Sequence, residues 1–390
     1  MAETISAAEF RDRIDARRRG DRSFAVVDTR PAESFAEWRV AGAINYFYKP
    51  PHEFDRREFE RETGLGPDDS VVTLCAKGKA SDDFAAELEA AGYDDVTVVG
   101  DGMRGWSAVY DRVAVPLSAP ESGDAESPLD LVQVQRRAKG CLGYLAVGGR
   151  EPGAADHVPA DVGADGSNRV AVAGSDGSNR VAVAIDVSRH TDEWVAAAAE
   201  RDASIAAVLD THVHADHLSG GRALADELGV PYYLPAAAAA RDVAVEFEPI
   251  GRNETLDVGG VDLKALATPG HTDESASYLI GGDAVLTGDA LFTDGVGRTE
   301  LQFSADAGAD SGSGAAAAAR RLYDSLHGTL LAVPDDVVVC PGHFAVATDG
   351  TTGDAAPGEP VATTVGAARR EIGVLGLNRA DFVEQITRTL

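Results

Sequence analysis

The stretch IAAVLDTHVHADH, residues 205–217, joins an apolar run to a turn crowded with side chains that can bind a metal. The run 205–209 has the length and the apolar character of a buried strand. In the turn that follows, three imidazoles and one carboxylate can be directed at a single centre. They belong to His212, His214, Asp216 and His217. The stretch therefore predicts a metal site at the carboxyl end of a strand.

Three further candidate ligands each come shortly after an apolar run. They are His271 after VDLKALA (261–267), Asp289 after AVL (284–286) and His343 after VVVC (337–340). An α/β sheet brings residues from the ends of neighbouring strands to one edge. Either histidine alone is better explained as a structural residue, but the seven candidates together predict a metal centre. The other histidines lack this context and are predicted to be surface or core residues: His52, His157, His190 and His327.

A second reactive position lies nearer the N-terminus. Cys75 ends the apolar run VVTLC and begins the loop CAKGKAS, which leads into a helical pattern over 79–91. Backbone N–H groups at a helix N-terminus stabilise a thiolate or an anionic persulfide, and Lys77 and Lys79 add positive charge. A cysteine at a strand end can also be a small buried apolar residue. We predict a catalytic Cys75, with Lys77, Lys79 and Ser81 as substrate-binding neighbours.

The order of the apolar runs predicts an α/β protein of two domains. Short buried strands are predicted at 24–28, 71–75 and 96–99, with a helix between the last two. Residues 116–128 lose all periodicity and collect Pro, Ser, Gly and acidic side chains, as an exposed linker does. The predicted division is therefore a domain over 1–117, a linker over 118–128 and a second domain over 129–390.

A nine-residue unit occurs twice in the second half of the chain. DGSNRVAVA occupies residues 165–173 and again 176–184. The unit is too short for a solenoid repeat, and it alternates like a strand that follows an Asp-Gly turn. A duplicated hairpin or a flexible insertion is the expectation, and no function is assigned to it.

Charge and composition exclude several classes of protein. The formal net charge of −29 disfavours nucleic acid or an anionic membrane as a partner. No apolar run is long enough to cross a bilayer, and the Arg-rich and Asp-rich N-terminus lacks the core of a secretory signal, so a cytoplasmic protein is expected. The three cysteines, Cys75, Cys141 and Cys340, fit isolated thiols. The acidic, lysine-poor composition is typical of halophilic proteins, whose surroundings screen self-repulsion.

The segments around the cysteine loop resemble the signature regions of rhodanese-like sulfurtransferases. They read DTRPAESFAEWRVAGAIN (28–45) and VVGDGMRGW (98–106). The resemblance implies a three-layer α/β domain in which Cys75 accepts a sulfane sulfur and passes it to a thiol, sulfite or another nucleophile. Many members that use thiosulfate carry an arginine where this loop has Lys79 and Ala80, so the sulfur donor is left open. An inactive domain used for interaction is the alternative.

The second half of the chain resembles the metallo-β-lactamase superfamily, whose HxHxDH motif is complete at 212–217. The words TPGHTDES and LTGDALFTDGVGRTELQ are similar to its persulfide dioxygenase branch. This resemblance implies an αββα sandwich and one Fe(II) held by His212, His271 and Asp289, with Arg298 holding an anionic substrate or shaping the pocket. Two imidazoles and a carboxylate on one face of Fe(II) leave positions where a persulfide sulfur and O2 can bind side by side. Sulfite is the expected product.

Two rival functions remain. A glyoxalase II-like thioester hydrolase would hold one zinc by His212, His214 and His271, a second by Asp216, His217 and His343, and would bridge them by Asp289. Only 47 residues follow His343, fewer than the helical glutathione-binding region of such hydrolases, and a fused sulfur-handling domain suits a persulfide better. The third hypothesis is a non-catalytic sulfur carrier or adaptor. The expected partners are a thiol persulfide, thiosulfate or sulfite, and O2, and a homodimer is left open.

Overall fold

The computed structural model describes most of the chain and divides it into two compact units. The described residues are 2–51, 53–117, 129–149, 161–162, 168–172, 180–213, 219–241, 243–300 and 311–388. The first unit comprises Met1–Tyr110, Arg136–Gly140 and Ala345–Ala355. The second comprises Asp111–Gln135, Cys141–Phe344 and Ala356–Leu390.

In the first unit, strands and helices alternate along the chain. They are β1 (Glu3–Ile5), α1 (Ala7–Arg18), β2 (Ala25–Asp28), α2 (Ala32–Glu37), β3 (Ala43–Asn45), α3 (Arg56–Thr63), β4 (Val71–Leu74), α4 (Lys79–Ala90), β5 (Val96–Val99) and α5 (Gly102–Trp106). The strands form a parallel sheet in the order β1-β5-β4-β2-β3.

Helices cover both faces of this sheet because its central strands are apolar on both sides. Successive residues of a strand point to opposite faces, and Val71 and Val72 of β4 belong to different apolar cores. On one face Phe10 of α1 packs against Trp106 of α5, with ring centroids 5.4 Å apart. On the other, Phe59 of α3 packs against Phe84 of α4. The predicted three-layer α/β domain is confirmed.

The second unit contains two larger sheets. Its strands are β6 (Tyr110–Ala114), β7 (Asp130–Arg136), β8 (Cys141–Gly149), β9 (Asp161–Val162), β10 (Asn168–Val172), β11 (Arg180–Ile185), β12 (Ala203–Leu209), β13 (Tyr232–Pro235), β14 (Glu248–Ile250), β15 (Thr255–Val258), β16 (Val261–Ala267), β17 (Ala276–Ile280), β18 (Ala284–Gly288), β19 (Val338–Pro341) and β20 (Thr363–Thr364). Among the described residues, seven strands form one sheet in the order β14-β13-β12-β11-β8-β7-β6, and eight form the other in the order β20-β19-β18-β17-β16-β15-β10-β9.

The helices of the second unit cover the outer faces of these two sheets. They are α6 (Asp192–Ala199), α7 (Gly221–Leu228), α8 (Ser311–Gly328), α9 (Val365–Glu371) and α10 (Arg379–Arg388). Helices α6 and α7 contact β12 of the seven-stranded sheet. On the other sheet, Leu322, Val365 and Phe382 of the last three helices share an apolar core with Val285 and Val339 of β18 and β19. The two sheets contact each other through β15, so the unit is the expected αββα sandwich.

The two copies of DGSNRVAVA lie in different sheets. The first copy contains β10, which pairs in parallel with β15 at the edge region of the eight-stranded sheet. The second contains β11, which pairs with β8 on one side and with β12 on the other. The copies therefore do not form a hairpin with each other. The sheet that each copy joins depends on the strands available for pairing and not on the sequence that the copies share.

The predicted domain boundaries remain a prediction, because the linker 118–128 lies outside the described residues. Strand β6 already belongs to the seven-stranded sheet of the second unit, and the Val115 N–H donates to the Leu131 carbonyl at 2.8 Å. Conversely, residues 136–140 and 345–355 are part of the first unit. Across the part of the chain that the structure describes, every helix is too short or too polar to span a membrane.

Candidate metal centre and cysteine loop

The cysteine loop of the first unit connects β4 to α4. The Cys75 carbonyl accepts from the Met103 N–H at 2.8 Å, and Cys75 itself is 6% exposed. Gly78 begins the helix with a φ of +89°, and a Cβ there would lie 1.6 Å from the Gly100 carbonyl oxygen. Only glycine lets the loop approach the turn after β5 so closely. Contacts made by its backbone thus hold the loop in place.

The predicted neighbours of Cys75 have different surroundings. Ser81 is fully buried, donates its hydroxyl proton to the Gly78 carbonyl at 2.7 Å and lies 3.6 Å from the Cys75 sulfur. Lys77 and Lys79 are exposed to solvent. Their predicted role in substrate binding, and that of Ser81, stays a prediction.

In the second unit, three of the predicted ligands leave the eight-stranded sheet at one edge. Strands β16 and β18 both pair antiparallel with β17, and β19 pairs in parallel with β18, so β16, β18 and β19 run in one direction. His271, Asp289 and His343 follow the carboxyl ends of these three strands. His212 follows β12 of the other sheet, and the Ala276 N–H donates to the Thr211 carbonyl at 2.9 Å, which joins the two sheets at this edge.

Two glycines allow the ligand loops to come together. Gly270, just before His271, has a φ of +148°, and a Cβ there would lie 2.5 Å from the backbone of Leu322 in α8. Gly288, just before Asp289, has a φ of +49°, and its Cβ would lie 2.6 Å from the Thr211 hydroxyl oxygen. Both positions need a left-handed backbone and close approach, which glycine supplies at the least cost.

His212, His271 and Asp289 are brought together as a buried triad. Each offers one ligand atom, and these atoms all lie within 4.8 Å of one another. His271 Nε2 is 3.6 Å from Asp289 Oδ2, and the two imidazole rings are perpendicular with centroids 5.1 Å apart. Two ligands at right angles around an ion about 2.1 Å away would be about 3 Å apart. The triad therefore has nearly the spacing that one metal ion needs.

Hydrogen bonds orient both histidines of the triad. His271 Nδ1 contacts the Arg298 carbonyl oxygen at 2.9 Å, and a carbonyl only accepts, so Nδ1 carries the proton. His212 Nδ1 lies 2.9 Å from the Thr211 hydroxyl, which is 3.0 Å from both oxygens of the buried Asp186. The hydroxyl donates to that carboxylate and accepts from Nδ1–H. Both rings thus turn an unprotonated Nε2 toward the metal position.

Comparison with known proteins agrees with this arrangement. Residues 173–343 match the model of the metallo-beta-lactamase superfamily. The probable metallo-hydrolase YqgX of Bacillus subtilis is 30% identical over 155 residues, which are 35% of this chain and 67% of that protein. The chain belongs to the metallo-beta-lactamase superfamily. Residues 6–109 match the rhodanese-like domain, so both predicted families are confirmed.

Other relatives match this chain over a smaller share of their own length. A hydroxyacylglutathione hydrolase of Acidiphilium cryptum is 40% identical over 102 residues, which are 25% of this chain and 42% of that protein. The chain thus spans less than half of that relative. Among solved structures, ETHE1 from Myxococcus xanthus has 27% identity and a TM-score of 0.47, over 66% of this chain and 89% of that one.

In the metallo-beta-lactamase domain, His343 contacts the triad through Asp289. Its Nδ1 lies 2.7 Å from Asp289 Oδ1. Burial works against the charged imidazole, but the Asp289 carboxylate outweighs it and holds the pKa of His343 well above its usual range. Burial would likewise raise the pKa of Asp289, but the nearby imidazoles of His343, His212 and His271 together lower it. Asp289 is therefore an ionised carboxylate, as a metal ligand must be.

Cys141 lies beside His343 in this domain. The two residues form an isolated antiparallel bridge, and the nearby Cys141 side chain adds to the rise in the pKa of His343. Cys75, Cys141 and Cys340 are all free thiols in the structure. Burial raises the pKa of the Cys340 thiol, which makes it unreactive.

The remaining predicted residues of the site are only partly placed. His214, Asp216 and His217 lie outside the described residues. Arg298 supports His271 by its backbone carbonyl, whereas its side chain is 65% exposed and lies 3.9 Å from Glu300. Its predicted contact with an anionic substrate stays a prediction.

Sequence reasoning missed three residues that shape the metal site. Asp186 and Thr211 set the proton on His212, and buried Glu274 accepts from the Val213 N–H at 3.2 Å. Asp186 adopts a φ of +51°, an unusual conformation outside glycine. The signal that could have identified Asp186 is its position directly after the apolar strand VAVAI. Glu274 lies in the motif TPGHTDES, but no role was predicted for it.

Proposed function

We propose that this protein is a persulfide dioxygenase fused to a rhodanese sulfurtransferase. The reaction is RSSH + O2 + H2O → RSH + sulfite + 2 H⁺. The terminal sulfur loses four electrons, O2 accepts them, and the S–S bond breaks to release the free thiol. Cys75 exchanges sulfane sulfur as a persulfide with a thiol, thiosulfate or sulfite.

The composition of the buried triad is the observation that supports a one-iron site best. Asp289 has one oxygen near His271 and the other bonded to His343 Nδ1. A two-zinc site would require Asp289 to bridge two ions with His343 bound to the second. Among the described residues, His212, His271 and Asp289 are the group that comes together, and they are the two-histidine, one-carboxylate set that suits Fe(II).

The chain's own residues hold the site dry and oriented. His212, His271 and Asp289 are at most 7% exposed. Thr211 and the Arg298 carbonyl keep each imidazole proton on Nδ1, so that Nε2 stays available. When bound, Fe(II) would supply adjacent open positions at which the persulfide sulfur and O2 meet. The buried surroundings restrict the access of bulk water to that place.

A two-zinc thioester hydrolase is the second candidate. It is favoured by the 40% identity to a hydroxyacylglutathione hydrolase over 102 residues. In that function zinc would generate a hydroxide nucleophile at neutral pH. The extra ligands would come from His214, Asp216 and His217, together with His343.

Metal analysis combined with an oxygen electrode separates the two candidates. The purified protein is expected to contain iron, to consume O2 when a low-molecular-weight persulfide is added, and to release sulfite in equal amount. Zinc content, no O2 uptake and hydrolysis of a glutathione thioester would instead establish the hydrolase. A stable Cys75 persulfide with neither activity would indicate a sulfur carrier.

Two single substitutions test whether each domain carries out its own reaction independently of the other. Cys75→Ser is expected to abolish sulfur transfer and to leave O2 uptake with added persulfide unchanged. His271→Ala is expected to lose iron and O2 uptake and to keep sulfur transfer, since it removes one of three metal ligands. Loss of both activities from either single change, in protein with an unaltered circular dichroism spectrum, would contradict the proposal.

A further inference from the structure

A buried carboxylate links the two loops that carry the triad histidines. Glu274 lies three residues after His271 and is 2% exposed. Its Oε1 accepts from the N–H of Val213, the residue after His212, at 3.2 Å. The same carboxylate accepts from Arg241 Nη1, at 3.2 Å to Oε1 and 2.9 Å to Oε2. Arg241 is thereby held next to the metal-binding loops.

The backbone also places Arg241 at the edge of the sheet where the metal ligands lie. Strand β13 pairs in parallel with β12, so both strands end at the same edge. His212 follows β12, and Arg241 follows β13 after one turn of 3-10 helix over Ala236–Ala240. The Arg241 side chain is 32% exposed, so part of it is accessible to solvent next to the ligand loops.

The guanidinium has an unused edge. Both bonds to Glu274 leave from Nη1, and among the described residues Nε and Nη2 have no acceptor. These two groups point in parallel and match the two oxygens of a carboxylate. In a chain of net charge −29, a positive group beside the metal loops also offsets the repulsion that an anionic substrate meets on approach.

We propose that Arg241 binds a carboxylate of the substrate's carrier thiol and thereby determines how strongly the enzyme prefers carboxylate-bearing persulfides to neutral ones. This inference rests on the proposed function. Glu274 acts as the positioning residue, because it fixes Nη1 and leaves the opposite edge of the guanidinium for the ligand. Arg241 is then a determinant of specificity and takes no part in the oxidation.

The kinetic test uses two persulfides of matched length. The persulfide of 3-mercaptopropionate carries a carboxylate, and that of 3-mercapto-1-propanol carries a neutral hydroxyl. Arg241→Gln keeps a donor for Glu274 and removes the charge. We expect the KM for the first probe to rise about tenfold or more, as for a lost charge-assisted pair. The kcat for the first probe, and both KM and kcat for the second probe, should change by less than about twofold from wild type.

A matched control is Arg252→Gln, which removes a cation from an exposed position and should change neither KM. Equal increases of KM for both probes in Arg241→Gln would mean that Arg241 acts only by supporting Glu274, and would overturn the inference. So would an unchanged KM for the carboxylate probe.

A binding measurement separates this inference from the proposed function. Calorimetry with 3-(methylthio)propanoate, a carboxylate that cannot be oxidised as a persulfide, requires no turnover. Wild-type protein is expected to bind it about tenfold more tightly than Arg241→Gln. If the wild type consumes no O2 and still shows this difference, the dioxygenase proposal fails and the carboxylate site stands. Equal affinity in both proteins would remove the site.

Discussion

At the residue scale, the metal site depends on hydrogen bonds made away from the metal. The Thr211 hydroxyl stands between the Asp186 carboxylate and His212 Nδ1. Because an ionised carboxylate only accepts, the hydroxyl proton is committed to Asp186 and the imidazole proton to Nδ1. A side chain that never touches the ion thus decides which nitrogen is offered to it.

Replacing Thr211 tests this relay. Thr211→Val keeps the shape of the side chain and removes the hydroxyl, whereas Thr211→Ser keeps the hydroxyl. We expect the valine variant to bind iron about 10-fold to 100-fold more weakly, as found for partners of metal-bound histidines, and the serine variant to stay close to wild type. Competition with a chelator measures both affinities. Equal affinities in the two variants would show that the hydroxyl does not orient His212.

At the scale of elements, the two copies of DGSNRVAVA show how a strand acquires its place. Strand β11 pairs over six positions with each of its two neighbours, whereas β10 pairs over four positions with β15 and over two with the short strand β9. The longer ladders of β11 contain more hydrogen bonds, so the loss of β11 costs more than the loss of β10. When only one copy is present, that copy should therefore form β11 and not β10.

Deleting residues 165–175 tests this order. The deletion leaves a single DGSNRVAVA, which we expect to form β11 and to leave the β10 position empty. Because β11 leads to Asp186 and β10 does not, the variant should fold and keep its metal affinity. Its melting temperature should fall by several degrees, as expected for a loss of about 1–3 kcal/mol in a domain of this size. Loss of metal binding in folded protein would show that the remaining copy had joined the other sheet.

At the scale of the whole molecule, tyrosines in both units retain their protons to unusually high pH. Burial, together with nearby acidic groups, raises the pKa of Tyr46 to about 12. Burial is also the main cause of the raised pKa values of Tyr48, Tyr93, Tyr144, Tyr232, Tyr233 and Tyr278. An exposed tyrosine in the unfolded chain loses its proton near pH 10. Above that pH the unfolded state binds fewer protons than the folded state, so stability falls.

The expected result is cooperative alkaline unfolding. The contribution of Tyr46 is fully present below about pH 10 and is lost as the pH rises toward 12. Absorbance at 295 nm, which reports tyrosinate, should rise together with the loss of circular dichroism. Tyr46→Phe removes one of these protons and should move the unfolding midpoint to higher pH. Ionisation of most of the tyrosines near pH 10, in protein with intact helical signal, would contradict the prediction.

The sequence by itself determined the two families and the seven candidate ligands, because these depend on motifs that are local in the chain. An apolar run followed by HVHADH, GHT or GDA predicts a ligand at a strand end whatever lies around it. The cysteine loop is likewise a continuous segment. The resemblance of these motifs to the persulfide dioxygenase branch then implied the triad and the Fe(II) hypothesis.

Only the tertiary structure decided which residues support those ligands. Asp186 precedes His212 by 26 positions and Glu274 follows it by 62, and neither spacing indicates a contact. The two copies of DGSNRVAVA make the same point most directly, since identical segments form strands of different sheets. Backbone pairing and burial come from neighbours that are distant in the chain, so equal local sequence leaves the choice open.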